Sequence, residues 1–228
     1  MNNNKNRLAR ERKTIEVMLK MYCKNHHYNE FELCEDCNLL LLAVFVAITV
    51  NAQTTKWDFD AVHSSVNFSI EHIVISEVSG QFKKFEGNVF SDKEDFTDAK
   101  INFVISANSI NTDNEMRDNH LKSTDFFDAE KFPLITFKST SFKKVKDKNY
   151  QLIGDFTMHG VTKTIVLDVI YGGNVIDPYK NTKAGFKITG KLNRKDYGLT
   201  WSKTMESGGL MVGDEVNFTC RIELAKAK

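Results

Sequence analysis

Residues 150–170 read YQLIGDFTMHGVTKTIVLDVI, and the period of this stretch is two. Tyr150, Leu152, Phe156 and Met158 share one face, with Gln151, Asp155 and Thr157 on the other. Further on, Ile165, Leu167 and Val169 are separated by Val166 and Asp168. Successive side chains leave a strand on opposite faces, so this alternation marks half-buried strands. Met158-His159-Gly160-Val161-Thr162-Lys163 between the two runs predicts a tight hairpin. The unit of the fold is therefore an antiparallel pair with one greasy face and one wet face.

The same pattern extends in both directions. Val66, Phe68, Ile70, His72 and Val74 alternate with Ser65, Asn67, Ser69, Glu71 and Ile73, and Ile101, Phe103 and Ile105 with Lys100, Asn102 and Val104. Ala184, Phe186, Ile188 and Leu192 form another set, and Val216, Phe218, Cys220, Ile222 and Leu224 the last. With Phe82–Phe90 and Leu134–Phe142 the count is about eight strands, and Gly172-Gly173 and Gly208-Gly209 are expected as further turns. Eight antiparallel strands close into a barrel that side chains can fill or that can hold one small apolar ligand. An outer-membrane barrel alternates too. However, the chain ends Leu-Ala-Lys-Ala-Lys, and Glu71, Lys100, Asp168, Lys187 and Glu223 sit in mid-strand, so the apolar face is expected inside. Seventeen phenylalanines against two prolines suit long strands around an aromatic-lined interior. A net charge of +1 speaks against a nucleic-acid partner, which normally demands a basic excess.

One stretch departs from the β pattern. Residues 111–133, NTDNEMRDNHLKSTDFFDAEKFP, begin with the helix-start residues Asn111, Thr112 and Asp113 and continue with Met116, His120 and Leu121 at helical spacing. Asp125-Phe126-Phe127-Asp128 is expected to open a second short turn before Pro133. A long insertion with paired phenylalanines fits a barrel mouth, where it can act as a lid.

The front of the chain has a different composition. Leu39 to Val50, LLLLAVFVAITV, is an uncharged apolar run of twelve. That is too short for a membrane-spanning helix, which takes about 20 residues, and it fits the core of a secretory signal. Small residues follow at Val50-Asn51-Ala52, so residues 39–52 are read as signal-like with cleavage before Gln53, and residues 53–228 as the exported domain. Residues 1–38 are read as a separate extension, a fusion remnant joined in front of that signal. Thr14–Tyr22 is expected as an amphipathic helix, and Cys23, His26 (or His27), Cys34 and Cys37 offer the ligand set of a tetrahedral zinc knuckle. The segment RLARERKTIEVMLKMYCKNHH…LCEDCNLL resembles the start of the nitrous-oxide-stimulated-promoter family over roughly the first 40 residues. Only Cys220 lies in the remainder, which therefore holds no internal disulfide.

A second resemblance covers the rest. Trp57-x-Phe59-Asp60-x2-His63-Ser64 is followed by VNFSIEHIVISEVSGQF. Next comes Thr112-x-Asn114-x2-Arg117-Asp118-x-His120-Leu121-x-Ser123-x-Asp125-Phe126-Phe127-Asp128-x4-Pro133-x-Ile135-x-Phe137. Gly154-Asp155-Phe156-Thr157-Met158-His159-Gly160-Val161-Thr162-Lys163 and Arg194-x2-Tyr197-Gly198 complete the set. In this order, from Trp57 to about Leu224, the chain resembles the YceI-like family. The resemblance implies a lipocalin-like barrel in the bacterial periplasm that binds a long isoprenoid or similar fatty amphiphile. Arg194-Lys195-Asp196-Tyr197 departs mildly, since the family more often has Arg-Ser/Thr-Asp-Phe.

The fold read from the sequence is thus all-β, an eight-stranded antiparallel barrel with a short helical lid. The candidate lining is Phe68, Ile70, His72, Phe82, Phe103, Ile105, Phe126, Phe127, Ile135, Phe137, Phe156, Met158, Leu167, Phe186 and Trp201. Arg117 and His120 are candidates for a head group at the mouth, or for pairing with Asp118, Asp125 or Asp128 to pin the lid. No cofactor is called for, no stable membrane span is present in the pattern, and pairing into a homodimer is left open. Catalysis is the weaker reading: Glu71 and His72 are adjacent on a strand and point to opposite faces. There is no Gly-x-Ser-x-Gly elbow, His-Glu-x-x-His or phosphate loop. The rival functions are an enzyme acting on such a lipid and a zinc-binding regulator working through the extension.

Overall fold

The computed structural model describes residues 54–204 and 209–227, and ahead of them only the helical, exposed positions Lys13, Val17 and Met21. The chain divides after Gln53 into two compact units. The Cys/His cluster, the apolar run and the expected cleavage point lie outside the described residues, as does Gly208.

The second unit is built of β1 (Lys56–Phe59), β2 (Ser65–His72), β3 (Ser76–Phe82), β4 (Phe85–Phe90), β5 (Lys100–Ser106), β6 (Ile110–Asn111), β7 (Leu134–Lys146), β8 (Asn149–Met158), β9 (Val161–Ile176), β10 (Thr182–Asn193) and β11 (Val212–Lys226). The order β1-β4-β5-β7-β8-β9-β10-β11 closes on itself through a β1–β11 pairing, giving a ring of eight. The remaining three strands continue the ring upward. β1 and β2 are two halves of one bent strand, as are β3 with β4 and β5 with β6: β1 pairs β4 while β2 pairs β3, and β4 pairs β5 while β3 pairs β6. Eight bent strands therefore make the barrel. Closure leaves no free edge around the ring, so its backbone donors and acceptors are satisfied within the sheet.

Several expectations from the sequence change in detail. Phe82–Phe90 is broken at Lys83-Lys84, where the bent strand turns its corner. Gly172-Gly173 is no turn: it lies within β9 at a bulge against Gly185, with Gly173 at φ 114°. Val74 is not on the inner face but at the tip of the β2–β3 hairpin, 59% exposed. The lid helix spans Glu115–Lys122 and is capped by Asn114, whose side chain accepts from Arg117 N at 3.0 Å. Asn111 belongs to β6, and a second short turn forms at residues 124–127. His159 and Gly160 do form the tight hairpin, with φ 50° and 75°.

The bend between β1 and β2 explains the Asp60-x2-His63-Ser64 motif. Asp60 Oδ1 accepts from Val62 N at 3.1 Å and His63 N at 3.3 Å, while Ser64 Oγ bonds the backbone of Glu223. Lys183 Nζ reaches across from β10 to Asp60 Oδ2 at 2.7 Å and Glu223 Oε1 at 3.1 Å. The Lys183 and His63 bonds hold the Asp60 carboxyl well below the usual carboxylate range, and Lys183 is raised in turn. Stability from a depressed carboxylate is present above its unfolded pKa and is lost as pH falls through its folded value. Asp60→Asn should therefore cost about 1–3 kcal/mol at pH 7. The gap to the parent should narrow below about pH 4, the region of the unfolded carboxylate. Urea unfolding at pH 7 and pH 3 checks this, and a variant as stable as the parent at pH 7 contradicts it.

Candidate functional site

The inner faces of the strands enclose a cavity of about 370 Å³ that runs from Leu224 and Phe96 at one end to His72 and Trp201 at the other. Three inward phenylalanines face glycines across the ladder: Phe68 opposite Gly80, Phe103 opposite Gly87, and Phe218 opposite Gly190. Each ring lies over the bare backbone of its partner. A Cβ on Gly190 would sit 2.5 Å from Phe218 Cζ, and one on Gly80 would overlap the Phe68 ring. Gly154 accommodates Phe137 in the same way. Rings laid flat on the wall leave the axis of the barrel open.

One end is closed. Phe96, on the β4–β5 loop at φ 57°, is 1% exposed and meets Trp57, Phe186 and Tyr171 at ring distances of 4.9, 5.0 and 5.7 Å. Tyr171 donates its hydroxyl to Glu94 O at 3.0 Å, which ties the loop down, and burial pushes its pKa up to about 12.

The other end carries the lid and the polar groups. Buried Asp118 accepts from Thr112 N at 2.8 Å and from Thr112 Oγ1 at 2.6 Å. Arg117 donates to Thr112 Oγ1 and Thr112 O, both at 2.7 Å, so it reaches Asp118 only through Thr112. His120 Nε2 lies 2.9 Å from Asp125 Oδ2, and its ring stands edge-on to Phe126 and Trp201, each at 5.0 Å. Arg194, 2% exposed, donates to Leu199 O at 2.6 Å, Trp201 O at 2.7 Å and Gly213 O at 2.8 Å. Burial pulls the Arg194 pKa down, against the pull of Asp214 at 3.5 Å. These bonds hold the segment that places Trp201 over the lid. The His120 side chain is 41% accessible and Glu71 is exposed, yet both border the cavity, so the opening lies there.

Every candidate lining residue borders this one cavity. Phe68, Ile70 and His72 come from β2, Phe82 from β3, Phe103 and Ile105 from β5, and Ile135 and Phe137 from β7. Phe156 and Met158 come from β8, Leu167 from β9 and Phe186 from β10. Arg117, His120, Phe126, Phe127 and Trp201 frame the mouth. The sequence reading missed Phe96, Phe142, Thr112 and Arg194 as lining, and did not carry Phe218 and Cys220 over from the last strand. Alternation already put Phe218 and Cys220 on the right face, whereas Phe96 sits in an unpatterned loop. Cys220 faces the cavity far from bulk water, and burial raises its thiol to about 12. It is a neutral thiol near pH 7, not a nucleophile.

Asp60, His63 and Glu223 place ligand atoms within 4.8 Å of one another, a geometry that could hold a cation. The Lys183 ammonium already stands between the two carboxylates. His63 pairs with Asp60 at 3.0 Å and Ser64 with the Glu223 backbone, so this histidine and serine do not form a base–nucleophile pair.

The YceI-like domain family matches residues 57–224. The chain belongs to the YceI-like family. A UPF0312 protein of Staphylococcus aureus (strain N315) is 38% identical over 172 residues, 75% of this chain and 98% of that protein. Among solved structures, the Campylobacter jejuni YCEI protein is 32% identical with a TM-score of 0.60, over 69% of this chain and 90% of that one. A polyisoprenoid binding domain from Saccharophagus degradans, implicated in plant cell wall breakdown, shares the fold at 15% identity. Its TM-score is 0.58, over 75% of this chain and 98% of that one. Ahead of the YceI-like region, the family described as Nitrous oxide-stimulated promoter matches residues 6–48. That match reaches into the apolar run, further than the 40 residues that the Cys/His motif suggested.

The glycine partners generate a test. Gly190→Ala should push the Phe218 ring into the bore, lowering stability by about 1–3 kcal/mol and reducing uptake of a fluorescent long-chain probe. Gly185→Ala, where a Cβ meets nothing within 4 Å, is the control. Equal melting and equal uptake for Gly190→Ala and the parent would refute the flattened-ring account.

Proposed function

We propose that the barrel binds and carries a long-chain isoprenoid or similar amphiphile, with the tail in the bore and no chemistry of its own. The observation that carries this reading is the bore itself: apolar along its walls, closed at one end, and polar only at the mouth. Burial is worth roughly 25 cal/mol per Å², or about 0.8 kcal/mol per methylene, so a long tail needs almost no polar recognition. An unfilled apolar void of this kind forfeits packing energy on the order of several kcal/mol, which a bound chain recovers. Family membership supports the reading, as does the polyisoprenoid-binding name of the Saccharophagus neighbour.

The walls assigned to the tail are the phenylalanine, isoleucine, leucine and methionine positions grouped by strand above. At the mouth, Arg117 and His120 are engaged by Thr112 and Asp125, so their main work in this reading is to hold the lid. The His72 ring borders the cavity and makes no hydrogen bond among the described residues, which makes it the better partner for a head group. Protein purified without added lipid should release a long-chain lipid into an organic extract, seen by mass spectrometry. Cys220→Trp, which places an indole in the bore, should release about ten-fold less, as expected from losing a methylene or two of burial. Its circular dichroism should match the parent. An empty extract from the parent counts against the carrier reading.

The same reading places the domain outside the cytoplasm, periplasmic or secreted, with residues 39–52 as the export signal and residues 1–38 as a fused remnant. The twelve-residue apolar run and the small residues before Gln53 support it. N-terminal sequencing of protein from the native host should begin at Gln53. An intact Met1 would instead mean a retained fusion.

A further inference from the structure

The β2–β3 hairpin turns on Ile73, Val74 and Ile75, between His72 and its cross-strand partner Ser76. Ile75 N donates to His72 O at 3.3 Å, and both central residues are left-handed, Ile73 at φ 46° and Val74 at φ 64°. Turns of this hand favour Asn-Gly or Asp-Gly, because a branched Cβ crowds the backbone there. The His159-Gly160 turn of the same chain follows that preference at its second position. At the β2–β3 tip Ile73 is only half-buried, and Val74 is 59% and Ile75 84% exposed, so little burial offsets the strain. Backbone strain and exposed branched side chains thus coincide on one tip.

The position of the tip gives it a use. His72, immediately before it, borders the cavity, and Ile73 N donates to Met211 O at 3.0 Å, with Met211 also bordering the cavity. Met116, 85% exposed, precedes the cavity-lining Arg117 of the lid. Exposed apolar side chains therefore rise from two of the elements that frame the mouth, while none of Ile73, Val74 and Ile75 lines the bore. In the cargo reading, the water-insoluble tail is drawn from a bilayer. A greasy tip beside the opening sinks into the acyl boundary and brings the mouth to that surface. The hairpin stem sets Glu71 directly opposite Glu77, two like charges that disfavour an anionic surface.

We infer that the Ile73–Ile75 tip, together with Met116, docks the barrel mouth on an electrically neutral, zwitterionic bilayer; the inference rests on the cargo reading above. The test uses the compact unit Thr54–Lys228; the staphylococcal relative stands alone at about this size, since the 172 aligned residues are 98% of it. The parent should float with phosphatidylcholine vesicles, and no better with anionic ones. Ile73→Asn combined with Val74→Gly should raise the melting temperature by about 2–4 °C through relief of strain. It should also lower vesicle association about ten-fold by loss of apolar area. Uptake of a soluble long-chain probe should be unchanged, because neither position touches the cavity. Ile75→Ser should weaken flotation in the same direction. A parent that does not float, or a turn variant that floats as well as the parent, overturns the docking inference. If the parent floats but takes up no probe, the cargo reading fails and the docking surface stands; if probe uptake holds and flotation fails, docking alone is lost.

Discussion

A phenylalanine ring on the inner wall of a small barrel has two places to go, the axis or the wall, and the residue across the ladder decides which. Opposite Phe68, Phe103 and Phe218 that residue is glycine. With no Cβ in the way, each ring covers its partner's backbone, which shields hydrogen bonds that a glycine would leave exposed. A chain with seventeen phenylalanines can then enclose an apolar channel instead of a packed core. The two outcomes use the same composition and differ by a few side-chain volumes.

The ends of the channel are treated differently, and that gives the molecule a direction. The β1–β11 pairing and the buried Phe96 make an apolar floor of tilted and edge-on rings. At the opposite end the closing material is held by hydrogen bonds: Asp118 to Thr112, His120 to Asp125, and Arg194 to four carbonyls. Polar contacts of this kind exchange more readily with water than a packed aromatic floor does. In the carrier reading, entry and exit belong at the lid, where the polar groups and the exposed hairpin tip also lie.

Much of this was legible in the chain. Period-two alternation located the strands and their inner faces, and the His159-Gly160 pair located a hairpin. The helical spacing in residues 111–133 located the lid, although its cap proved to be Asn114. Other features carried no local signal. Gly172-Gly173 looks like a turn to any reading of neighbours, and only its pairing against Gly185 makes it a bulge. Val74 continues the alternation of β2 on paper, but the strand ends at His72. Phe96 stands in a loop with no period, so its role as a plug depends on residues far away in sequence.

The amino-acid sequence by itself determined the class of fold, the inward face of each strand and the site's apolar character, because periodicity within a few residues separates the two faces and the mid-strand charges say which of them is wet. Tertiary structure alone decided whether the interior is hollow. That depends on which glycine lies across from which phenylalanine. Phe68–Gly80, Gly87–Phe103 and Gly190–Phe218 each join neighbouring strands, but their register is set by the connections, the bends and ring closure, which alternation within one strand does not fix.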